Sequence, residues 1–324
     1  MEGIIVQDYP FPDYEPITRA AVVNTCIKMK KYLTEHDKPL ISVSGGSDSD
    51  CIVHLVCTYF PEFVKKCHFV FVNTGLEYKA TKNHLSFLEQ RYGIQIHRIR
   101  GESVVTVIRK HGIPILNKSR SDDIYYYLRE KPWAIYRIEE KEGDYGYNPN
   151  MKAMIHYIKD NGIKVAALCC KLSKKKPIYI YIYMRENSID LNVTGERKAE
   201  RGQRAQTHKS CYEEHKNGQH KYMPLWWWTD DEKADFKEKE KIRYSDCYEV
   251  YGMKRTGCCG CPFNIDVADD LQIMYEHEPN LYKACLNVFG QSYELMDRFK
   301  CRRKKCIPES FQMTLTGEIE RSEQ

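Results

Sequence analysis

The 324-residue sequence contains no run approaching the ~20 apolar residues that a membrane helix requires, so no spanning helix and no membrane partner is expected. Its first residues, MEGIIVQDYPFPDYEP, are acidic and proline-bearing, without a basic stretch followed by an apolar run. That is not the pattern of a secretory signal, and a cytoplasmic location is the expectation. Internal repeats and low-complexity linkers are also missing. The length then suits one large α/β domain with an appendage, or two modest domains. A strong charge of either sign is absent: +5 permits a polyanionic partner without demanding one. With 42% hydrophobic and 29% charged residues, the composition is that of a folded protein rather than a disordered one.

What is abundant is cysteine, with fourteen. A secreted disulfide scaffold would show regular spacing in a smaller domain. Cys26, Cys51, Cys57 and Cys67 lie in apolar, element-like segments, where free cysteine acts as a small hydrophobe. The pair Cys169 and Cys170 and the cluster Cys258, Cys259 and Cys261 sit beside turn and basic residues in ligand-like spacing. A reducing cytosol with a metal or cluster site accounts for both sets.

Apolar residues recur at helical spacing from Pro16 to Glu35. Residues 38–43, PLISVS, read as a buried strand entering a glycine pair, followed by a helix over 49–59. A strand over 68–72, a helix over 79–92 and a strand over 94–99 come next. This alternation predicts an α/β fold with a doubly wound parallel sheet. Residues 177–183 and 189–194 read as another helix end and strand, and 120–165 as a helical insertion with a turn at Gly143–Gly146. After Pro262 the pattern is helical to about Lys300. The expected organisation is a nucleotide-binding domain over 1–230 and a cysteine-containing helical region over 231–324 packed on it.

The loop Ser44-Gly45-Gly46-Ser47-Asp48-Ser49 joins the first strand to a helix. Glycines there let main-chain N–H groups approach an anion, and the helix start adds unpaired donors and a positive field. Ser44, Ser47 and Ser49 add hydroxyls, and Asp48 offers a carboxylate to magnesium. The strand's carboxyl end is where ligands bind in open α/β sheets. No Gly-Lys-Ser/Thr follows, so this is not a Walker loop. A capped strand-to-helix turn is the plainer alternative.

SGGSDS after a buried strand resembles the PP-loop of the adenine-nucleotide α-hydrolase fold. Four further segments resemble its phosphoadenosine phosphosulfate reductase branch: VNTGLEY at 72–78, TGERKAERGQRA at 194–205, PLWWWTDDE at 224–232 and YGMKRTGCCGCPF at 251–263. The resemblance implies ATP or a related adenine nucleotide bound by Ser44 to Ser49, by Asn73, Thr74 and Gly75, and by Gly195, Arg197, Glu200 and Arg204. Asp48, Ser49 and Arg197 carry the catalytic expectation. Guanidinium groups suit phosphate and sulfate oxygens, whereas a solvated charged face is the other reading of Arg197, Arg201 and Arg204.

By ligand chemistry, four thiolates suit zinc or an iron–sulfur cluster alike. The resemblance to adenylyl-sulfate reductases implies a 4Fe-4S cluster on Cys169, Cys170, Cys258 and Cys261, with Zn2+ as the alternative. Cys259 is expected to be buried or to back the ligands. Lysines at 171 and 174–176 would lower nearby thiol pKa values.

Two departures from the resemblance set the functional expectation. The reductase tail Glu-Cys-Gly-Leu/Ile-His is absent from the closing residues TLTGEIERSEQ. Cys301 and Cys306 lie in a basic run that favours a reactive thiolate, but no nucleophile is carried over to them. Conversely, the full SGGxDS loop is kept. Together these point to ATP α-phosphate chemistry: an adenylylating, pyrophosphate-releasing step in sulfur transfer, with Mg2+ and a sulfur donor such as a cysteine desulfurase. Some relatives act on nucleic acids, including DNA phosphorothioation subunits, so a nucleic-acid substrate is one candidate acceptor. The alternatives are a thioredoxin-dependent sulfonucleotide reductase and a zinc-stapled nucleic-acid binder using Trp226, Trp227, Trp228 and the tyrosines.

Overall fold

Pro16 opens α1 (Pro16–Glu35), at a position where its missing N–H leaves no helical bond unmade. Val22, Cys26, Met29 and Leu33, spaced along one face, are its buried stripe. The computed structural model describes residues 11–140, 149–176, 182–200, 208–216, 218–302, 304–307, 311–313 and 319–321. Next come β1 (Pro39–Ser42), α2 (Ser47–Tyr59), β2 (His68–Asn73), α3 (Lys79–Tyr92) and β3 (Ile96–Arg100), the predicted alternation within a residue or two. Then follow α4 (Val104–His111), α5 (Lys118–Tyr127) and α6 (Pro149–Asp160). The short strands β4 (Leu191–Val193), β5 (Tyr212–Glu213) and β6 (His220–Tyr222) precede α7 (Asp230–Lys239). Thr229 and Glu232 cap α7 reciprocally, side chain to backbone N–H in both directions. Last come α8 (Val267–His277), α9 (Pro279–Arg298) and a hairpin, β7 (Phe311–Met313) with β8 (Ile319–Arg321), that the sequence did not announce. Residues 177–181 and the expected turn at 143–146 lie outside the described residues.

The main sheet has six strands in the order β3-β2-β1-β4-β6-β5. β1 pairs in parallel with β2 and β4, β4 with β6 likewise, and β5 runs antiparallel to β6. Ile41, Val43, Phe69, Phe71, Leu191 and Val193 point to one core, which α1 and α2 complete with Met29, Ile52 and Val56. Leu40 and Val70, one position out of phase, join Met184 and Ile189 in a second cluster. Burial on alternating residues to both sides is what a central parallel sheet requires. The expected doubly wound α/β class is what the chain adopts.

By contacts the chain forms two compact units that interleave along the sequence. The first takes Met1–Val72, Ala80–Ile99 and Pro177–Thr256, and the second Asn73–Lys79, Arg100–Lys176 and Gly257–Gln324. A single division near residue 230 was expected. Instead, the helical insertion and the C-terminal helices share one unit. Within it, Ile108, Ile115, Met154, Ile158, Phe289 and Met296 are all buried. No described helix is long and apolar enough to cross a membrane.

Candidate functional site

The strand order reverses at β1, whose neighbours are β2 and β4, and ligands of open α/β sheets bind at such a switch point. The loop after β1 and the segment after β4 meet there. Gly45 has φ +69°, and a Cβ on it would stand 2.7 Å from Thr81 Cγ2. Gly46 is the N-cap of α2 with φ −96° and no side-chain cap of its own. Ser49 Oγ accepts from Ser44 N at 3.2 Å and donates to Gly46 O at 2.8 Å, so that serine shapes the loop from beneath. Gly46 N donates to Ser44 Oγ at 3.2 Å. Gly195 fits because a Cβ would be 3.0 Å from the main chain of Asp48 and Ser49.

Arg197 follows β4 and is positioned by Lys198 N, which donates to Trp226 O at 2.9 Å. Its Nε donates to Asp48 Oδ1 at 2.8 Å, and one terminal nitrogen to Asp230 Oδ1 at 2.8 Å. The other donates to Trp228 O at 3.3 Å. Burial works against the charge of Arg197, but Asp48 and Asp230 more than offset it and raise its pKa. Lys233, on α7, donates to Ser47 Oγ at 3.0 Å and Asp48 Oδ1 at 2.9 Å. Two cations therefore converge on one loop carboxylate, whose side chain is only 15% exposed.

Lys233 was not anticipated, because it stands in the run DDEKADFKEKEK, which reads as a solvated face. The pair of Asp50 and His84 was also missed. Asp50 Oδ2 lies 2.7 Å from His84 Nε2, fully buried one residue after Ser49. Burial raises the Asp50 pKa, with His84 and Ser49 opposing it. Two of the three adjacent tryptophans, Trp226 and Trp228, are buried, and Trp227 is 53% exposed with Lys198 over its ring.

Asn73 closes β2, and its Oδ1 accepts from Gly75 N at 2.8 Å, while Thr74 N and Oγ1 donate to Glu77. With Gly75, at φ +93°, they belong to the second unit. Glu200 is exposed at the end of a short 3-10 turn. Arg201 and Arg204 lie outside the described residues.

The four anticipated cysteines all belong to the second unit. Cys169 hydrogen-bonds to Cys170, which holds the Cys170 thiol below its ordinary range and pushes Cys169 up. Lys118, Lys174 and Lys175 add to the lowering at Cys170. Cys258 and Cys261 lie close enough for their charges to act on Cys169. Burial raises Cys258 against the pull of Lys174, and pushes Cys261 up to about 12. Cys170–Lys175 is a π-helical turn, a form common at functional positions. The Cys258–Cys261 hairpin lies hard against α9. A Cβ on Gly260 would be 2.8 Å from Tyr293 OH, and that hydroxyl donates to Gly260 O. Arg302 donates to the carbonyls of Leu116, Pro262 and Asn264, fixing the chain beyond the hairpin. Cys259 is buried, as expected. Among the described residues, no three His, Cys, Asp or Glu side chains close around a single metal ion.

The reactive setting expected at Cys301 and Cys306 is not found. Burial pushes Cys301 up to about 11 and Cys306 up to about 12, while Arg302 is spent on carbonyls. At Cys306 burial and Asp297 outweigh the lowering by Arg302.

Comparison with known proteins gives a family. The phosphoadenosine phosphosulfate reductase domain matches residues 38–131 and 136–264. An uncharacterized protein of Methanocaldococcus jannaschii is 25% identical over 293 residues, covering 90% of this chain and 47% of that protein. The chain thus spans about half the length of the curated relative it matches. Among solved structures, phosphoadenylyl-sulfate reductase from Candida auris, in a phosphate complex, aligns at TM-score 0.43 and 13% identity over 72% of this chain and 87% of that one. The NH3-dependent NAD synthetase of Campylobacter jejuni, with nitrate, aligns at TM-score 0.37 and 12% identity over 86% of this chain and 96% of the other.

Proposed function

The chain belongs to the phosphoadenosine phosphosulfate reductase domain family, and from that premise we propose that it is an enzyme of adenine-nucleotide α-phosphate chemistry. The loop Ser44–Ser49 holds the β- and γ-phosphates of ATP on main-chain amides and serine hydroxyls. An acceptor oxygen attacks the α-phosphorus; the new P–O bond forms as the bond to the bridging oxygen breaks. Pyrophosphate leaves with the electron pair, and the acceptor's proton passes to solvent.

The convergence of Arg197 and Lys233 on Asp48 is the observation that supports this reading most. With Asp48 and Asp230, those cations make a near-neutral set. A triphosphate adds strong negative charge at the loop, which both cations are placed to offset as it builds on the leaving group. Asp48 is the carboxylate that fits magnesium, since this ion takes one or two carboxylates and completes its shell with phosphate oxygens and water. Magnesium there would neutralise phosphate charge. Arg197 then orients Asp48, and Lys233 keeps Ser47 in place.

For the cysteines, four thiols beside Lys118, Lys174 and Lys175 are the donor set that supports an iron–sulfur cluster. Cys169, Cys170, Cys258 and Cys261 would hold it, and it would supply a centre for electron or sulfur exchange. Reduction of a sulfonucleotide is the second reading, favoured by the family alone. Burial of Cys301 and Cys306 speaks against either as its nucleophile.

The two readings separate by product. Protein purified without oxygen is incubated with ATP, magnesium and candidate acceptors, and separately with adenylyl sulfate and thioredoxin. Pyrophosphate and adenylylated acceptor in the first mixture, lost in Arg197→Met, are the expected result. Sulfite from the second, with an inert first mixture, would replace this reading with reduction.

A further inference from the structure

One amide of the glycine loop is already occupied, because an aromatic hydroxyl sits on Ser47 N. Tyr248, on the single turn Asp246–Glu249, accepts from Ser47 N at 3.3 Å. The same oxygen accepts from Thr256 N at 3.1 Å and lies 3.0 Å from Thr256 Oγ1. Two main-chain donors from distant parts of the sequence thus converge on one oxygen, both within the first unit. A Cβ on Gly46 would meet this pair as well, 3.3 Å from Thr256 Oγ1 and 3.4 Å from Tyr248 OH, besides Ser44 Oγ at 3.1 Å.

Converging amides beside Arg197 and Lys233 suit an anionic oxygen better than a neutral phenol. Hydrogen bonds to a charged acceptor are roughly twice as strong as neutral ones. We propose that the Tyr248 hydroxyl is a placeholder for a phosphate oxygen, and that Ser47 N–H and Thr256 N–H form a phosphate subsite which Tyr248 vacates when the nucleotide enters. The inference rests on the phosphate-loop reading above. It adds to the site Tyr248, which lies outside the quoted motifs, and the amide of Thr256 from the segment 251–263. Thr256 Oγ1 steadies the hydroxyl in the empty state, so the placeholder holds the loop in its binding shape and competes with the ligand for the same donors.

Tyr248→Phe deletes the hydroxyl and little else. Titration calorimetry with magnesium pyrophosphate compares the full-length wild-type chain with this variant. The expected result is tighter binding by about five-fold, the worth of one competing hydrogen bond. A structural role alone would weaken binding, so the direction is diagnostic. Equal or weaker affinity in Tyr248→Phe, with the wild type binding, overturns the placeholder and leaves the phosphate loop standing. Binding by neither protein overturns the loop reading and the placeholder with it. Should circular dichroism show Tyr248→Phe unfolded, Thr256→Val, which frees the hydroxyl from its second anchor, is read by the same outcomes.

Discussion

At Gly45 the backbone sits at φ +69°, and a Cβ would meet Thr81 Cγ2 at 2.7 Å; at Gly46 φ is −96°, and the limit is clearance. These adjacent glycines answer to different physics. Gly45→Ala is expected to cost about 1–2 kcal/mol for the left-handed conformation, plus the clash. Adding Thr81→Ser removes the clashing methyl and should restore only part of the loss in urea unfolding. Full recovery would mean that φ is not strained there. Arg197 carries a second prediction, because its side chain is 5% exposed and holds Asp48, Asp230 and Trp228 O. Arg197→Met should destabilise the protein by about 3 kcal/mol, at the low end for a broken buried pair since Lys233 still serves Asp48. Arg197→Lys should retain more stability than Arg197→Met, because it keeps a charge while losing the planar fork. Residues of this kind were legible in part. Gly45, Gly46, Gly195 and Arg197 fall in contiguous motifs that directly shape the site. Lys233, Tyr248 and His84 reach it only through folding, and nothing in their own segments marks them.

Among the elements, α2 is tied to the residues just before α1 and just after α7 by one buried carboxylate. Glu240, just past α7, accepts from Tyr14 and Tyr59 and lies 2.9 Å from His54 Nε2. Burial alone would raise its pKa, but the bonds from His54, Tyr14 and Tyr59 outweigh it and lower the pKa below the ordinary 4.5. In acid the unfolded chain therefore binds this proton before the folded one does. The stability Glu240 contributes is complete above pH 4.5 and is lost as pH falls through the depressed folded value. Denaturant midpoints measured down the acid limb should drop steeply in wild type and less steeply in Glu240→Gln; parallel curves would refute the assignment. The elements themselves were well marked where period and punctuation agreed, as in α1, with its proline start, and β1, ending before a glycine pair. They were poorly marked in β5 and β6, which have two and three residues and too little length to show a period. The sequence pattern also could not say that 100–176 groups with 257–324, because that grouping depends on contacts between segments far apart in the chain.

For the whole molecule, the family accounts for the loop, the arginine segment and the cysteine block, all within residues 38–264. The cofactor is tested by composition. Protein prepared without oxygen should contain iron and acid-labile sulfide, and Cys258→Ser should lose both together with the visible absorption. Stoichiometric zinc in place of iron would replace the cluster with a single-ion site. In the proposed reaction the phosphates rest against the bare main chain at Gly46. A valine there keeps an allowed backbone, because φ is −96°, yet fills the space an anion needs. Titration of magnesium ATP into wild type and a folded Gly46→Val protein decides it: binding by the first, weakened at least ten-fold in the second, is predicted, and equal affinity in both would contradict the claim.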